Sequence, residues 1–443
     1  MGRPSIWKKF TSFRIIIAGF AAVILTGTLL LVLPVSSANG QWTPVGDALF
    51  TSTSAVCVTG LVVRDTALSW SLFGQIVILL LIQIGGLGII TITAMAAAAS
   101  GRRISLLERS MLQECISAHQ LGGIVKLTGF IFKTALITEL AGAALMLPAF
   151  CSAFGTAGIW MAVFHSVSAF CNAGFDIMGN MTGEYSSLTC FSSSPGVVIP
   201  ICLLIMIGGI GFLTWDDIAK NRLKFRKYRM QSKVILTVTA FLIAIPAAVF
   251  FFSDLSGLPL KERICASIFQ AITPRTAGFN TVEIGSFTSA GRAMLVVLML
   301  IGGAPGSTAG GMKTTTFAVL LANVASVVRR RKDPKLFNRR IHEDTVKSAS
   351  TLMIMYLLLA LTGAFILSAA EGLPFGTCIF ETASAIGTVG LSYGITPALG
   401  ALSRTALIGL MFFGRVGGLT LLSAAVTTRP ETAQYPAGKI NVG

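Results

Sequence analysis

Gly387-Thr388-Val389-Gly390-Leu391 ends a short apolar segment, and it decides the fold because three related endings precede it in the chain. They read Cys57-Val58-Thr59-Gly60-Leu61, Cys171-Asn172-Ala173-Gly174-Phe175 and Arg275-Thr276-Ala277-Gly278-Phe279. Their glycines are 114, 104 and 112 residues apart along the chain. Recurrence at such a regular spacing indicates an internal repeat.

Each ending closes a segment that is too short to cross a membrane as a helix. The segments cover residues 47–60, 161–174, 263–278 and 377–390. A second landmark, a pair of glycines, follows each segment: Gly85-Gly86, Gly208-Gly209, Gly302-Gly303 and Gly417-Gly418. Close helix packing explains the pairs, but it does not explain the half-length segments. We interpret those segments as re-entrant pore loops, and external loops remain the alternative.

Composition indicates that the bilayer is the solvent. The chain has 443 residues, of which 53% are hydrophobic and 12% are charged, whereas a soluble domain carries about a quarter charged residues. Mean hydropathy is +0.79. Runs long enough to span hydrocarbon lie at 15–35, 71–100, 124–147, 196–219, 233–252, 290–328, 349–370 and 402–427. They predict eight helices, the first retained rather than cleaved as a signal peptide.

The fold prediction is an all-α polytopic membrane protein with four pseudo-symmetric repeats of helix, pore loop and helix around a central pore. Its divisions are residues 1–100, 101–219, 220–340 and 341–427, followed by a C-terminal tail at 428–443.

The formal charge of +16 is placed in a way that argues for a membrane rather than nucleic acid. Of the 34 lysines and arginines, 25 fall in five patches that each abut an apolar run. The patches alternate with neutral or acidic connections such as residues 176–184. The positive-inside rule then predicts a multi-pass plasma-membrane protein with both termini and the basic loops in the cytoplasm.

Enzyme and metal-site chemistry finds little support. The eight cysteines form no CxxC pair, and the 18 acidic residues and 3 histidines form no HExxH motif or paired-carboxylate site. We therefore expect no enzymatic activity.

The glycine-tipped endings suit cation binding. A dehydrated cation needs oxygen ligands in place of water, and backbone carbonyls supply them without burying charge. Glycine tolerates the dihedral angles needed to aim successive carbonyls at one axis. The predicted cation filter consists of Val58, Thr59, Gly60, Asn172, Ala173, Gly174, Thr276, Ala277, Gly278, Thr388, Val389 and Gly390.

The sixth apolar run is too long for one span. Its 39 residues would extend nearly 60 Å as a straight helix, and residues 302–311 interrupt it. Pro305 removes a backbone donor and the glycines weaken the helix, so we expect an intramembrane loop that can block or clear the path. A simple Gly-Pro kink and a phosphate-binding loop are alternatives, although Lys313 is displaced by one position from the latter's pattern.

Arg415 is expected to lie below the filter. It stands two residues before the fourth glycine pair, where the other repeats have Gln83, Met206 and Leu300. A buried structural pair is the alternative to a pore-facing role. The predicted gate consists of Gly303, Ala304, Pro305, Gly306, Ser307, Thr308, Ala309, Gly310, Gly311 and Arg415.

Three other charged positions lie in apolar surroundings. Arg275 and Glu381 have opposite charges at a similar depth, and we expect them to pair beside the filter. Glu139 receives no role from the sequence.

With residues 275–280 (Arg-Thr-Ala-Gly-Phe-Asn) and the glycine-rich stretch 302–311, the four endings make the whole chain resemble the Trk/Ktr/HKT superfamily of cation uptake proteins. The nearest likeness is to the membrane subunits of bacterial Ktr potassium uptake systems. Thr388-Val389-Gly390 also resembles the K+ channel filter TVGYG, whose Tyr-Gly ending is absent here. One well-defined ring with partial sites is therefore expected.

The resemblance implies several further properties. Glycine at all four filter positions goes with K+ preference, while serine in the first repeat, here Gly60, goes with Na+ transport in some plant members. Residues 302–311 would be the gate. The partners would be a second copy of the chain and a cytoplasmic ring of KtrA-like nucleotide-binding regulatory subunits, with the tail at the dimer contact.

Three functions were weighed. A pore-forming K+ uptake subunit is favoured over a broken-helix secondary transporter, possibly Na+-coupled, because all four repeats run in one orientation whereas such transporters typically use inverted repeats. A membrane enzyme is the third. No GxGxxG motif follows a strand, so no nucleotide is expected on this chain, and K+ is the expected transported ion.

Overall fold

The computed structural model describes residues 12–100, 104–116, 122–222 and 224–418, and this part of the chain is almost wholly helical. The strands within it are β1 (Lys335–Leu336) and β2 (Arg339–Arg340), which pair antiparallel with Lys335 opposite Arg340. The predicted all-α class is confirmed.

The first two repeats contain eleven α-helices of the described chain. They are α1 (Ser12–Val32), α2 (Val45–Val56), α3 (Thr66–Ser69), α4 (Leu72–Leu87), α5 (Ile89–Ala99), α6 (Leu106–Ile116), α7 (Ile124–Phe154), α8 (Ala157–Phe170), α9 (Gly179–Thr182), α10 (Pro195–Gly209) and α11 (Phe212–Asn221).

The last two repeats follow the same order. Their helices are α12 (Met230–Phe252), α13 (Leu260–Ile272), α14 (Ser289–Leu300), α15 (Thr314–Val328), α16 (Glu343–Glu371), α17 (Phe375–Gly387) and α18 (Ala401–Val416). Short 3-10 turns lie at Pro34–Ser36, Thr189–Phe191, Phe225–Lys227, Ile284–Ser286 and Thr396–Ala398.

The first long helix of every repeat is continuous and apolar. α1, α7, α12 and α16 are each long and apolar enough to cross a membrane, and a third or less of each apolar window is buried inside the protein. The remaining apolar surface, such as Leu29 at 71% and Phe252 at 75% exposure, faces outward. Lipid is the solvent that such a surface requires.

The second long helix is interrupted in each of the first three repeats, which the sequence indicated only for the third. α4 meets α5 at 96° and α10 meets α11 at 100°, so the prediction of single helices over 71–100 and 196–219 is wrong. Gly88 and Gly211 stand at these bends with φ of +86° and +88°, a left-handed conformation that favours glycine. In the fourth repeat α18 ends before Gly417, whose φ is +90°. Residues 419–427 and the tail lie outside the described residues.

The four half-length segments form short helices at the centre of the fold. α2, α8, α13 and α17 each pack against the continuous helix of their own repeat. Their last turns are buried, and those of α2 and α17 contain several small residues, such as Ser54 and Ala55 of α2. Small side chains let four chain segments converge on one point.

Candidate functional site

The four terminal glycines share one backbone conformation. Gly60, Gly174, Gly278 and Gly390 have φ of +88°, +68°, +81° and +97°. Such values are strained for residues that carry a Cβ.

These glycines touch one another in a closed cycle. A Cβ added to Gly60 would lie 2.5 Å from the carbonyl oxygen of Ala173 and 3.1 Å from Gly174 Cα. The same close approach recurs in the other three repeats. An added Cβ would lie 2.6 Å from the Ala277 oxygen at Gly174, 2.2 Å from the Val389 oxygen at Gly278, and 2.2 Å from the Thr59 oxygen at Gly390. The predicted meeting of the four tips around one axis is confirmed. That their oxygens bind K+ stays a prediction.

A second left-handed residue stands two positions before each glycine. The four are Val58 (φ +56°), Asn172 (+58°), Thr276 (+79°) and Thr388 (+51°). Positive φ is unusual for any side chain and especially for β-branched ones, and such strain clusters at functional sites. All four repeats have the same unusual backbone, and each pair of left-handed residues flanks a buried residue: Thr59, Ala173, Ala277 or Val389.

Hydroxyl groups from the short helices hold the tips in place. In repeats one and four, Ser54 Oγ accepts from the Gly60 N–H at 3.1 Å and Ser384 Oγ accepts from the Gly390 N–H at 3.0 Å. In repeats two and three, the Ser168 hydroxyl donates to the Phe175 oxygen and Thr273 to the Phe279 oxygen, both at 2.7 Å. Our sequence reasoning missed these groups, although a serine six residues before the glycine in three repeats could have revealed them.

The intramembrane loop, residues 302–311, lies directly beneath the glycine ring. A Cβ on Gly310 would be 2.1 Å from Thr388 Oγ1, and the Thr308 hydroxyl donates to the Phe170 oxygen at 3.0 Å. The Ala304 N–H donates to the Gly209 oxygen at 2.8 Å, and the Gly311 N–H to the Gly414 oxygen at 3.2 Å. The loop therefore bonds to the second and fourth repeats while it crosses the axis.

Two cationic side chains fix this loop. Arg415 donates to the carbonyl oxygens of Thr308 and Gly85, and to that of Gly86 at 3.0 Å. Lys313 Nζ donates to the oxygens of Ala309 at 2.8 Å and Gly310 at 3.3 Å. Sequence analysis considered Lys313 only as a phosphate-binding residue, whereas here it closes the loop on itself. Arg415 contacts the loop, as the pore-facing interpretation predicts.

The position of Arg415 among the repeats differs from the one expected. Gly85, Gly208 and Gly414 are equivalent, because a Cβ on each would lie 2.0 to 2.1 Å from a carbonyl oxygen near the end of the adjacent short helix. Arg415 therefore corresponds to Gly86 and Gly209, not to Gln83, Met206 and Leu300. Arg415 thus places a long side chain at a position where the first and second repeats have glycine.

The predicted pair of Arg275 and Glu381 does not form. Arg275 donates to Thr239 Oγ1 at 3.3 Å, whereas Glu381 accepts from the hydroxyls of Ser392 and Thr396, both at 2.6 Å. Glu381 thus anchors the segment that follows the fourth tip.

Glu139, which received no role from the sequence, accepts two bonds from Gln83 Nε2 at 2.9 and 3.2 Å. The contact joins α7 of the second repeat to α4 of the first.

Cavities lie on both sides of the ring. The outer one, about 110 Å³, is lined by all four ring glycines and by Asp65 and Asp176. The inner one, about 410 Å³, is lined by the intramembrane loop, Lys313 and Arg415. The ring glycines thus line the first cavity and the loop lines the second.

Comparisons with known proteins agree with this architecture. The solved structure of the potassium transporter TrkH from Vibrio parahaemolyticus superposes with a TM-score of 0.76 at 19% identity, covering 96% of this chain and 87% of that one. The potassium/sodium uptake protein NtpJ of Enterococcus hirae is 38% identical over 100% of this chain and 99% of its own. The Ktr system potassium uptake protein B of Bacillus subtilis is 36% identical over 99% and 98%.

A family described as TrkH, cation transport protein, matches residues 8–434. With these relatives, and with four glycine tips meeting above an intramembrane loop, the chain belongs to the TrkH family of cation transport proteins.

Proposed function

We propose that this chain is the pore-forming subunit of a K+ uptake system and moves K+ into the cytoplasm through a four-loop carbonyl filter. The closed ring of Gly60, Gly174, Gly278 and Gly390 carries the proposal. Potassium is the ion shared by the names of the two relatives, potassium/sodium uptake protein NtpJ and Ktr system potassium uptake protein B, which supports the choice of ion.

In this account the ion exchanges water for main-chain oxygens of the twelve filter residues. The C-terminal ends of the four short helices, which carry partial negative charge, contribute to the attraction. The carboxylate of Asp65 at the outer cavity raises the local cation concentration, because negative charge that lines a cleft focuses the field.

The intramembrane loop is the proposed gate. Its hydrogen bonds with Arg415 and Lys313 stabilise the blocked arrangement. These bonds must break when the loop moves to open the path. A bound regulatory subunit that favours the cleared arrangement would shift the population toward conduction.

The proposed assembly follows the resemblance and the charge pattern. A homodimer sits on a cytoplasmic ring of KtrA-like nucleotide-binding subunits, which dock on the basic loops, and this chain itself binds no nucleotide. Both termini and the basic loops face the cytoplasm. The tail expected at the dimer contact lies outside the described residues.

A Na+-coupled secondary transporter is the second candidate, since the helix bends of 96° and 100° are features that transporters also use. Four equivalent tips arranged in one cycle favour a pore over inverted repeats. Uptake that stops without Na+ and proceeds against the K+ gradient would favour the transporter.

The test is growth of a K+-uptake-deficient bacterium at low K+, with a regulatory partner supplied. The native chain should restore growth. Gly60→Ser should raise the K+ concentration for half-maximal growth about tenfold, because its Cβ would lie 2.5 Å from the Ala173 oxygen and a loss of about 1.4 kcal/mol corresponds to that factor. Absence of rescue by either chain, with both present in the membrane, would contradict the proposal.

Arg415→Ala should raise the maximal rate of K+ uptake about tenfold, since bonds from a charged donor contribute about 1.5–3 kcal/mol each to holding the loop. Flux of 86Rb+ into vesicles measures this. Arg404→Ala is the matched control: it lies on the same helix and loses its 2.8 Å ion pair with Asp47 without touching the loop. Equal loss of folded protein and flux in Arg415→Ala would instead assign a structural role.

A further inference from the structure

A groove with an unusual lining lies apart from the pore. It has a volume of about 910 Å³ and runs between the chain that enters α12, the hairpin β1–β2 and the first turn of α16. Six cationic residues line it: Arg226, Lys227, Arg229, Lys233, Arg339 and Arg340. The groove thus brings together two basic patches that are separated by more than 100 residues in the sequence.

Most of this charge is not neutralised. Arg229 pairs with Asp216 at 3.1 Å, and Arg340 with Asp333 at 3.4 Å. The other four cations have no carboxylate within 4.0 Å among the described residues. Clustered lysines and arginines of this kind suit an anion that carries phosphate oxygens.

The groove also has an apolar wall. Val234, Val319 and Leu336 line it. At its edge the rings of Phe225 and Phe337, 40% and 44% exposed, lie 6.3 Å apart. A free phosphate makes no use of exposed phenyl rings beside its binding cations, whereas the acyl chains of a lipid can pack against them.

The position of the groove along the membrane helices indicates that it lies at the membrane surface. The groove touches the beginnings of α12 and α16, which are two of the four continuous membrane helices. Cations beside aromatic rings are typical of the level at which lipid headgroups lie.

We propose that this groove binds the phosphate group of an anionic phospholipid, with the acyl chains against its apolar wall. Pro305 of the intramembrane loop and Thr315 also line it, so a bound headgroup lies next to the loop. Headgroup binding does not depend on which ion the pore carries.

The test uses the purified full chain in nonionic detergent, titrated with a short-chain phosphatidylglycerol and with phosphatidylcholine of the same acyl length. Native mass spectrometry measures the bound lipid. Lys227→Gln with Arg339→Gln should weaken phosphatidylglycerol binding about tenfold or more, as expected for two lost charges near a headgroup. Arg331→Gln with Lys332→Gln is the control, because it removes the same charge from exposed residues that do not line the groove. Its affinity should stay within about twofold of the native value.

Equal weakening in both variants would mean that general surface charge attracts the lipid, and would overturn the site. Equal binding of phosphatidylcholine, or full competition by inorganic phosphate at the lipid's concentration, would overturn the lipid assignment. The lipid assignment would also be overturned if the groove variant bound lipid normally but no longer retained the regulatory subunit, because the groove would then be a protein-binding site. Unchanged elution and thermal unfolding of both variants verify that they fold.

Discussion

Gly390→Ala should abolish K+ uptake, with a loss on the order of a hundredfold or more. Its Cβ would lie 2.2 Å from the Thr59 oxygen and 3.0 Å from Gly60 Cα, and both neighbours are backbone atoms of an adjacent repeat that cannot rotate away. A displaced tip breaks the ring at two of its four contacts. Losing about 2.7 kcal/mol of ion coordination corresponds to a factor of a hundred.

Gly394→Ala separates this effect from backbone strain. Gly394 lies four residues further along the same segment and also has positive φ, +79°, but a Cβ there meets nothing within 4 Å. It should retain most of the native 86Rb+ uptake in vesicles. Comparable losses in the two variants would show that strain in the segment, rather than closure of the ring, limits transport.

Deletion of residues 305–309 should raise K+ flux by roughly ten- to a hundredfold and make it independent of the regulatory subunit. The deletion removes the part of the loop that carries the Thr308 contact with Arg415 and the Ala309 contact with Lys313. A barrier stabilised by a few kcal/mol keeps only a small fraction of molecules open, so its removal has a large effect. The K+ to Na+ ratio should change little, because the ring is untouched.

Thr308→Val is the control for an effect through the filter. The Thr308 hydroxyl donates to the Phe170 oxygen at 3.0 Å and lies 3.3 Å from the Asn172 amide, so its loss alone could loosen the second tip. The Thr308→Val variant retains the whole loop and should leave K+ flux near the native value. Unchanged flux in the deletion, with protein present in the membrane, would count against a gate.

The ring was predictable from the sequence because each tip has its own local signal, a glycine-containing ending, and that signal recurs four times. Each tip needs glycine for its own dihedral angles, and the repeated spacing showed that the four belong together. The interruption at 302–311 was equally visible, because Pro305 and several glycines cannot continue a helix.

The bends at Gly88 and Gly211 could not be predicted in the same way. A single glycine costs an isolated helix only about 1 kcal/mol, and the apolar run continues through both positions. At the Gly211 bend the Phe212 N–H donates to the Gly306 oxygen of the third repeat at 2.6 Å, a contact between repeats that periodicity does not record.

The partners of charged residues were predicted least well. Arg275 lies three residues before its tip glycine and Glu381 nine residues before its own, and the sequence does not determine the direction in which such side chains point. The position of Arg415 was misjudged because Gly417-Gly418 imitates the earlier pairs, whereas the packing glycine of that repeat is the isolated Gly414.

The most direct test of the account is a crystal structure of the protein grown in Rb+, a heavier substitute for K+, with anomalous diffraction to locate the ion. The account predicts a peak on the common axis of the four tips, surrounded by main-chain oxygens of Thr59, Ala173, Ala277 and Val389 and their glycines. Tips that stand apart, or Rb+ bound only by side-chain carboxylates away from that axis, would contradict it.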